Sequence, residues 1–310
     1  MQTLAAAVAH RPLVLDGGLG TQLEAHGHDL SSHLWSARLL LEDPEAVVAA
    51  HRDFLAAGAE VLITSSYQVS YDGLAAVGVG PEEVDVLLRR SVELARRAVA
   101  EHAGASGDER PRWVAASVGP WGAARGDGSE YRGDTALSVR QLRAWHRRRL
   151  QVLAAAGADV LALETVPGAA EAEALLAELA DLEGASSSGP AAWLSLTCAG
   201  GRTRAGEAAA DAFALARGVP GVLAVGVNCC EPQDAAALVP VAVAACDLPA
   251  VVYPNSGEVW DARARRWRGA AAPVADGVDT WVAHDARLVG GCCRVGPDQV
   301  AGIAARVAPA

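Results

Sequence analysis

The sequence predicts an α/β protein folded as a single (β/α)8 TIM-type barrel that spans residues 1–310. Three observations carry that expectation. Eight short apolar runs alternate with longer Ala-rich amphipathic stretches from one end of the chain to the other. The runs are dense in Val, Leu and Ile without strict alternation, as strands covered on both faces are. The segments AGAEVLIT, AGADVLALET and ARLVGGCC also repeat one plan, a helix end, a small-residue turn and a strand. Each βα unit has to make that same chain reversal.

Taken in order, the first strand is LVLD at 13–16. The helix after it covers 44–57; it opens behind Asp43 and stops at Gly58, which are N-cap and C-cap signals. The second strand is EVLIT at 60–64, followed by a helix over 81–102, and the third is WVAASV at 113–118, with a helix over 138–156. DVLALE at 159–164 leads to a helix over 169–182, and EGASSSGP at 183–190 reads as a surface loop. AWLSLT at 192–197 precedes a helix over 208–217, and VLAVGVN at 222–228 a helix over 233–245. AVVY at 250–253 and RLVGG at 287–291 complete the strands, with helices over 277–286 and 297–306. Spacing alone does not show that eight strands close on themselves, so a doubly wound open sheet stands as the alternative.

Composition narrows the function. With 51% hydrophobic and 20% charged residues, the chain can bury a large core. A net charge of −11 and the lack of a long Lys/Arg block argue against nucleic acid or an anionic membrane as partner. The opening residues lack the pattern of a secretory leader, and Gly, Asp or Arg interrupts every apolar run, so the expected location is cytoplasmic. In that compartment six cysteines do not imply a disulfide framework.

Catalytic groups in such barrels sit at the C-terminal ends of the strands. Asp16, Thr64, Glu164, Asn228 with Cys229, Asn255, and Cys292 with Cys293 all fall there. Three thiolates from two strand ends that are near neighbours on the ring suit one Zn²⁺ with a fourth tetrahedral position open. Cys292 and Cys293 can both point inward only where the strand unwinds, and the glycines before them are expected to permit that. From spacing alone, the metal site and three small buried core residues are equally good readings. Cys198, Cys230 and Cys246 are assigned to the core, with an exchange of roles between Cys229 and Cys230 left open. None of the eight histidines lies at an expected strand end, which disfavours a His-rich hydrolytic zinc site.

Nearly end to end, the chain resembles the homocysteine S-methyltransferases, in the branch that uses S-methylmethionine or S-adenosylmethionine. The resemblance is carried by LVLDGGLGTQLEAHG, LWSARLLLEDPE, AGAEVLITSSYQ, SVGPWGA, DGSEYRGD, LALETVP, GVNC, VVYPNSGE and GGCCR. It implies Cys229, Cys292 and Cys293 as ligands of Zn²⁺ and as the catalytic set. It also implies Asp16, Gly17, Gly18, Thr64 and Glu164 at the amino-acid end of L-homocysteine. In that reading Glu164 pairs with the substrate ammonium, and backbone N–H groups around Gly17 and Gly18 receive its carboxylate. Asn228 and Asn255 join the substrate-binding set, with Ser256 beside the latter. Trp35, Tyr67, Trp121 and Tyr131 are candidates to face a cationic donor, Trp35 first because it aligns with a donor-side aromatic of the wider superfamily. The implied activity is zinc-dependent methyl transfer from a sulfonium donor to the homocysteine thiol, forming methionine. Both partners are small molecules. The competing reading is a non-catalytic zinc- or thiol-sensing barrel, which would need a fourth protein ligand.

Overall fold

The computed structural model describes residues 2–30, 35–133, 135–184, 190–261 and 266–307. Its main sheet has eight parallel strands: β1 (Leu13–Val14), β2 (Val61–Ile63), β3 (Trp113–Val118), β4 (Val160–Val166), β5 (Ala192–Leu196), β6 (Val222–Asn228), β7 (Ala250–Tyr253) and β8 (Ala286–Val289). Each strand pairs with its neighbours in sequence, and β8 pairs with β1. The last seam closes through a parallel bridge between Leu15 and Val61. There Asp16 N–H donates to Val61 O at 3.0 Å and Glu60 N–H to Val14 O at 2.8 Å. Sequential order with joined edges excludes the open sheet.

The unalternated apolar runs now have their explanation. Leu13, Leu15, Val61, Trp113, Ala115, Trp193, Val251 and Leu288 fill the barrel interior, while Val14, Leu62, Val114, Leu161, Leu194 and Val252 face the helix layer. Successive residues point to opposite faces, and both faces are dry. A short helix that the periodicity does not signal, Leu4–Val8, plugs the N-terminal end of the barrel with Leu4, Ala7 and Val8. That end is therefore packed shut, and the C-terminal end is left for chemistry.

The helical layer follows the expected order with shifted ends. Pro44–Ala56 is capped by Asp43, whose carboxylate accepts from Ala46 N at 3.2 Å. Pro81–Ser106 runs past the expected stop and ends on Gly107 at φ 68°, a left-handed turn that glycine adopts freely. The helix expected over 208–217 is only Ala209–Ala214, because the chain after β5 first makes a small hairpin pairing Cys198–Ala199 with Arg202–Thr203. The helix expected over 277–286 is Val278–Ala283, preceded by a 3-10 turn, Val274–Gly277. Residues 185–189 of the expected surface loop lie outside the described residues. Among the described residues, no helix is long and apolar enough to cross a membrane.

One buried polar group makes this layer sensitive to acid. His51, on Pro44–Ala56, is 0% exposed, and neither ring nitrogen has a hydrogen-bond partner. Burial pushes its pKa down to about 4 from the ordinary 6.5. The unfolded chain therefore takes up this proton first as pH falls, and native stability drops between about pH 6.5 and 4. The full loss from this group is about 3 kcal/mol. Chemical unfolding of the wild type and a His51→Leu variant at pH 7 and pH 4.5 should show a shallower acid loss in the variant; parallel losses would refute this assignment.

Candidate metal centre and substrate pocket

The C-terminal mouth holds a cavity of about 270 Å³ whose wall includes Cys229, Cys292 and Cys293. Cys229 Sγ lies 2.8 Å from Cys292 Sγ and 3.7 Å from Cys293 Sγ, and all three sulfurs fall within 4.8 Å of one another. Among the described residues, this is the cluster of side chains placed to hold a metal ion.

Local backbone geometry aims these thiols. Cys229 follows directly after β6 and takes φ 50°, a left-handed conformation that a non-glycine residue adopts only at a cost. It is held there by its N–H to Tyr253 O at 3.3 Å and by Thr197 Oγ1 donating to its carbonyl at 3.1 Å. Cys230 then packs into the outer core and is not part of the sulfur cluster. After β8 the chain leaves the sheet: Cys292 N–H donates to Pro254 O at 2.8 Å, and Cys293 N–H to Asn255 Oδ1 at 3.1 Å. Arg294 closes the turn at φ 65°, its N–H on Thr21 Oγ1 at 2.9 Å.

The strand stops at Val289, so the chain is unwound at the glycines before the cysteines as expected, and these glycines also allow close packing. Neither adopts a left-handed conformation; a Cβ on Gly290 would meet Leu15 Cβ at 2.6 Å, and one on Gly291 would overlap the Val295 side chain. The unusual backbone angles fall on Cys229 and Arg294 instead. Gly18 likewise has no room for a Cβ, which would come within 2.5 Å of Cys292 O.

Beside the thiols lies a polar wall. Glu164 is buried, accepting from Ser117 Oγ and from Tyr253 OH, the latter at 3.0 Å. Tyr253 in turn accepts from Trp193 Nε1 at 3.1 Å. Burial pushes the Glu164 carboxyl up to about 7, against the two hydroxyl donors that favour its charged form. Asp16 is buried too: Oδ2 accepts from Ile63 N at 2.8 Å, while Oδ1 has no partner. Its pKa is raised by burial, and the nearby Glu164 adds to the rise. Two carboxyls within electrostatic reach of each other, one with an unpaired oxygen, make a place for a cation. In the thiol cluster, hydrogen bonds from Cys229 and Cys292 hold Cys293 well below the ordinary thiol value. A cation is what would gather all three as thiolates.

The expected site residues divide as follows. Gly17, Gly18, Thr64 and Glu164 line the cavity with the three cysteines, whereas Asp16, buried next to Gly17, is not on its wall. Thr64 Oγ1 accepts from Ser117 N at 3.0 Å and pairs with Ser66 Oγ at 2.8 Å. The Gly18 N–H is already donated to Val295 O at 2.9 Å, so it does not wait for a substrate carboxylate as expected. Asn228 and Asn255 are off the cavity wall and bind protein. Asn228 accepts from Thr165 N at 2.7 Å and donates to Thr165 Oγ1 at 2.7 Å, fixing a threonine at φ 57°; Asn255 fastens Cys293. Both act as supports for the metal and pocket loops. Ser256 is fully buried, its N–H on Cys293 O at 3.1 Å. Tyr67 and Tyr131 line the cavity, and Tyr131 OH donates to Cys229 Sγ at 3.4 Å. Trp121 stands away from it under the Arg125 guanidinium, 5.1 Å from the ring. Trp35 begins a 3-10 turn, Trp35–Arg38, but its side chain lies outside what is described. Sequence reasoning missed Glu130 and Tyr253 on the cavity wall, and Ser117, which holds Glu164. Glu130 lay in view within DGSEYRGD and Tyr253 within VVYPNSGE, where its place at the end of an apolar strand also reads as core.

Comparison with known proteins agrees with this geometry. The homocysteine S-methyltransferase family pattern matches residues 13–307. The chain is 42% identical over 298 residues to the homocysteine S-methyltransferase of Escherichia coli (strain K12), covering 95% of this chain and 94% of that protein. It is 40% identical to the selenocysteine methyltransferase of Astragalus bisulcatus, covering 95% and 92%. Among solved structures it resembles the metallated form of the homocysteine methyltransferase MmuM from Escherichia coli, with a TM-score of 0.85, 39% identity, and coverage of 97% and 98%.

Proposed function

Because the chain belongs to the homocysteine S-methyltransferase family, we propose that Cys229, Cys292 and Cys293 hold one zinc ion and that the methyl group comes from a sulfonium donor, S-methylmethionine or S-adenosylmethionine. The protein is a methyltransferase, and the group it transfers goes to the thiol of homocysteine. The observation that carries the metal assignment is the convergence of three sulfurs within 4.8 Å. Two thiolates on a tetrahedral zinc lie about 3.8 Å apart, given Zn–S near ~2.3 Å. The Cys229–Cys293 separation of 3.7 Å fits that, and the Cys229–Cys292 pair at 2.8 Å has to open. An all-sulfur donor set suits zinc among the common metals when no redox step is needed.

When bound, the ion supplies acidity, drawing the proton from a thiol whose ordinary pKa is about 8.5. The chain's own residues do the rest. Glu164 and Asp16 receive the ammonium of L-homocysteine beside Thr64, which points its sulfur toward the three cysteines. The faces of Tyr67 and Tyr131 attract the donor's positive sulfur. In the transfer, the homocysteine sulfur forms a bond to the methyl carbon while the donor's S–CH3 bond breaks. That electron pair stays on the donor, which leaves as a neutral thioether. The protein's part is mainly alignment of the two sulfurs and the methyl group. One barrel over residues 1–310 carries both substrate sites, and the protein works in the cytoplasm. The sensor reading calls for a fourth protein ligand, whereas among the described residues the cluster has three.

Purified protein assayed for methionine with each donor tests this reading. Activity should disappear with a chelator and return with zinc, in step with metal content near one per chain. Undiminished methionine formation by metal-free protein would end it.

A further inference from the structure

Glu130 has none of the roles assigned so far. It sits on the 3-10 turn Ser129–Tyr131 after β3, and its side chain forms part of the cavity wall. Its Oε2 is buried and has no hydrogen-bond partner. Arg132, two residues on, acts on the Glu130 carboxyl by its charge while donating to Asp127 O at 2.8 Å and to Ser129 Oγ at 2.9 Å, and no hydrogen bond reaches Oε2. Among the described residues, no lysine, arginine or histidine lines the cavity. An acceptor oxygen buried without a donor is costly to keep. A donor that arrives with a substrate would satisfy it.

The chemistry of the donor molecule says which part. A sulfonium carries positive charge but no N–H or O–H, so it can lie against the rings of Tyr67 and Tyr131 yet leave Oε2 unsatisfied. An ammonium brings three N–H donors and a full charge, and its bond to a carboxylate is of the strong, charge-assisted kind. The acceptor's ammonium is already provided for by Glu164 and Asp16, on different strand ends from the loop that carries Glu130. Glu130 is left for the second ammonium in the reaction.

We propose that Glu130 selects the methyl donor by its amino-acid arm, taking the ammonium of that arm on Oε2. The site then reads two amino acids at once, one on each side of the transferred methyl group, and discriminates against bare sulfonium compounds. This inference rests on the transfer proposed above and specifies its donor class.

The test is steady-state kinetics of the zinc-loaded full chain with S-methylmethionine and with its desamino analogue. Glu130→Gln should raise KM for S-methylmethionine about tenfold or more, the loss of one charge-assisted hydrogen bond. KM for homocysteine, which also reports that the variant is folded, should stay within about twofold. Glu130→Asp, which keeps the charge, should recover part of the donor affinity. The desamino analogue, a poor donor for the wild type, should be used equally well by Glu130→Gln. Equal losses with both donors, or a shift in the homocysteine KM instead, would overturn the assignment. Wild-type protein that makes no methionine from S-methylmethionine would remove the proposed function and this inference together. Normal wild-type activity with no donor defect in Glu130→Gln would remove only the inference.

Discussion

Replacing Cys292 with alanine is expected to lower kcat/KM by about 10³-fold or more and to strip the metal while the barrel stays folded. The size follows from two losses. At pH 7 only about 3% of a thiol with pKa near ~8.5 is ionised, so an unassisted homocysteine forfeits roughly 30-fold. A misplaced attacking sulfur loses about 10²-fold more through alignment. Two sulfurs are left where three converged, too few to hold zinc firmly in competition with water. The fold should survive because Cys292 lies on a loop beyond the end of β8 whose backbone is tied to Pro254, Asn255 and Thr21. Cys230→Ala is the matching control, since Cys230 packs in the outer core away from the cavity. It should cost some stability and leave metal content and rate within about twofold. Elemental analysis, methionine assays and thermal unfolding of both variants decide the matter. A Cys292→Ala protein with wild-type rates would refute the metal mechanism.

The second large effect is expected from Glu164→Gln, which should raise KM for homocysteine by about 30- to 150-fold with a smaller change in kcat. Losing a charge-assisted pair between a buried carboxylate and an ammonium costs about 2–3 kcal/mol, which converts to that range. Glutamine also offers one acceptor oxygen where glutamate offered two. It cannot satisfy the hydroxyls of Ser117 and Tyr253 and the substrate together. The defect should be specific to the acceptor: KM for the donor stays near wild type, whereas Glu130→Gln gives the opposite split. Kinetics with each substrate varied in turn would show it. A homocysteine KM that does not move would show that the ammonium binds elsewhere.

The polar residues of the site show how far a one-dimensional reading reaches. Asp16, Thr64, Glu164, Asn228 and Asn255 were found because each interrupts or ends an apolar run, and all cluster at the mouth. Direction was not legible in that pattern. Glu164 turns its carboxylate to the cavity, whereas the Asn228 amide turns to Thr165 and the Asn255 oxygen to the Cys293 backbone. Polarity at a strand end signals a break in burial, but whether the group meets ligand or backbone depends on contacts with chain more than 30 residues away. Tyr253 stood within VVYPNSGE, but a tyrosine ending AVVY also reads as a good core residue; its hydroxyl matters because β4 brings Glu164 to it.

By itself, the sequence determined the eight βα units, their order and the two cysteine motifs that supply the thiols. Those features are local: a dry strand needs an apolar run, a helix needs its caps, and a soft metal needs cysteine. Tertiary structure alone decided that Leu15 and Val61 close the ring, that Cys229 turns inward while Cys230 turns out, and that Glu130, on the cavity wall, is left with an unpaired buried oxygen. Each of these depends on where distant segments come to rest, and the left-handed backbone at Cys229 is affordable only because Tyr253 and Thr197 hold it from neighbouring strands.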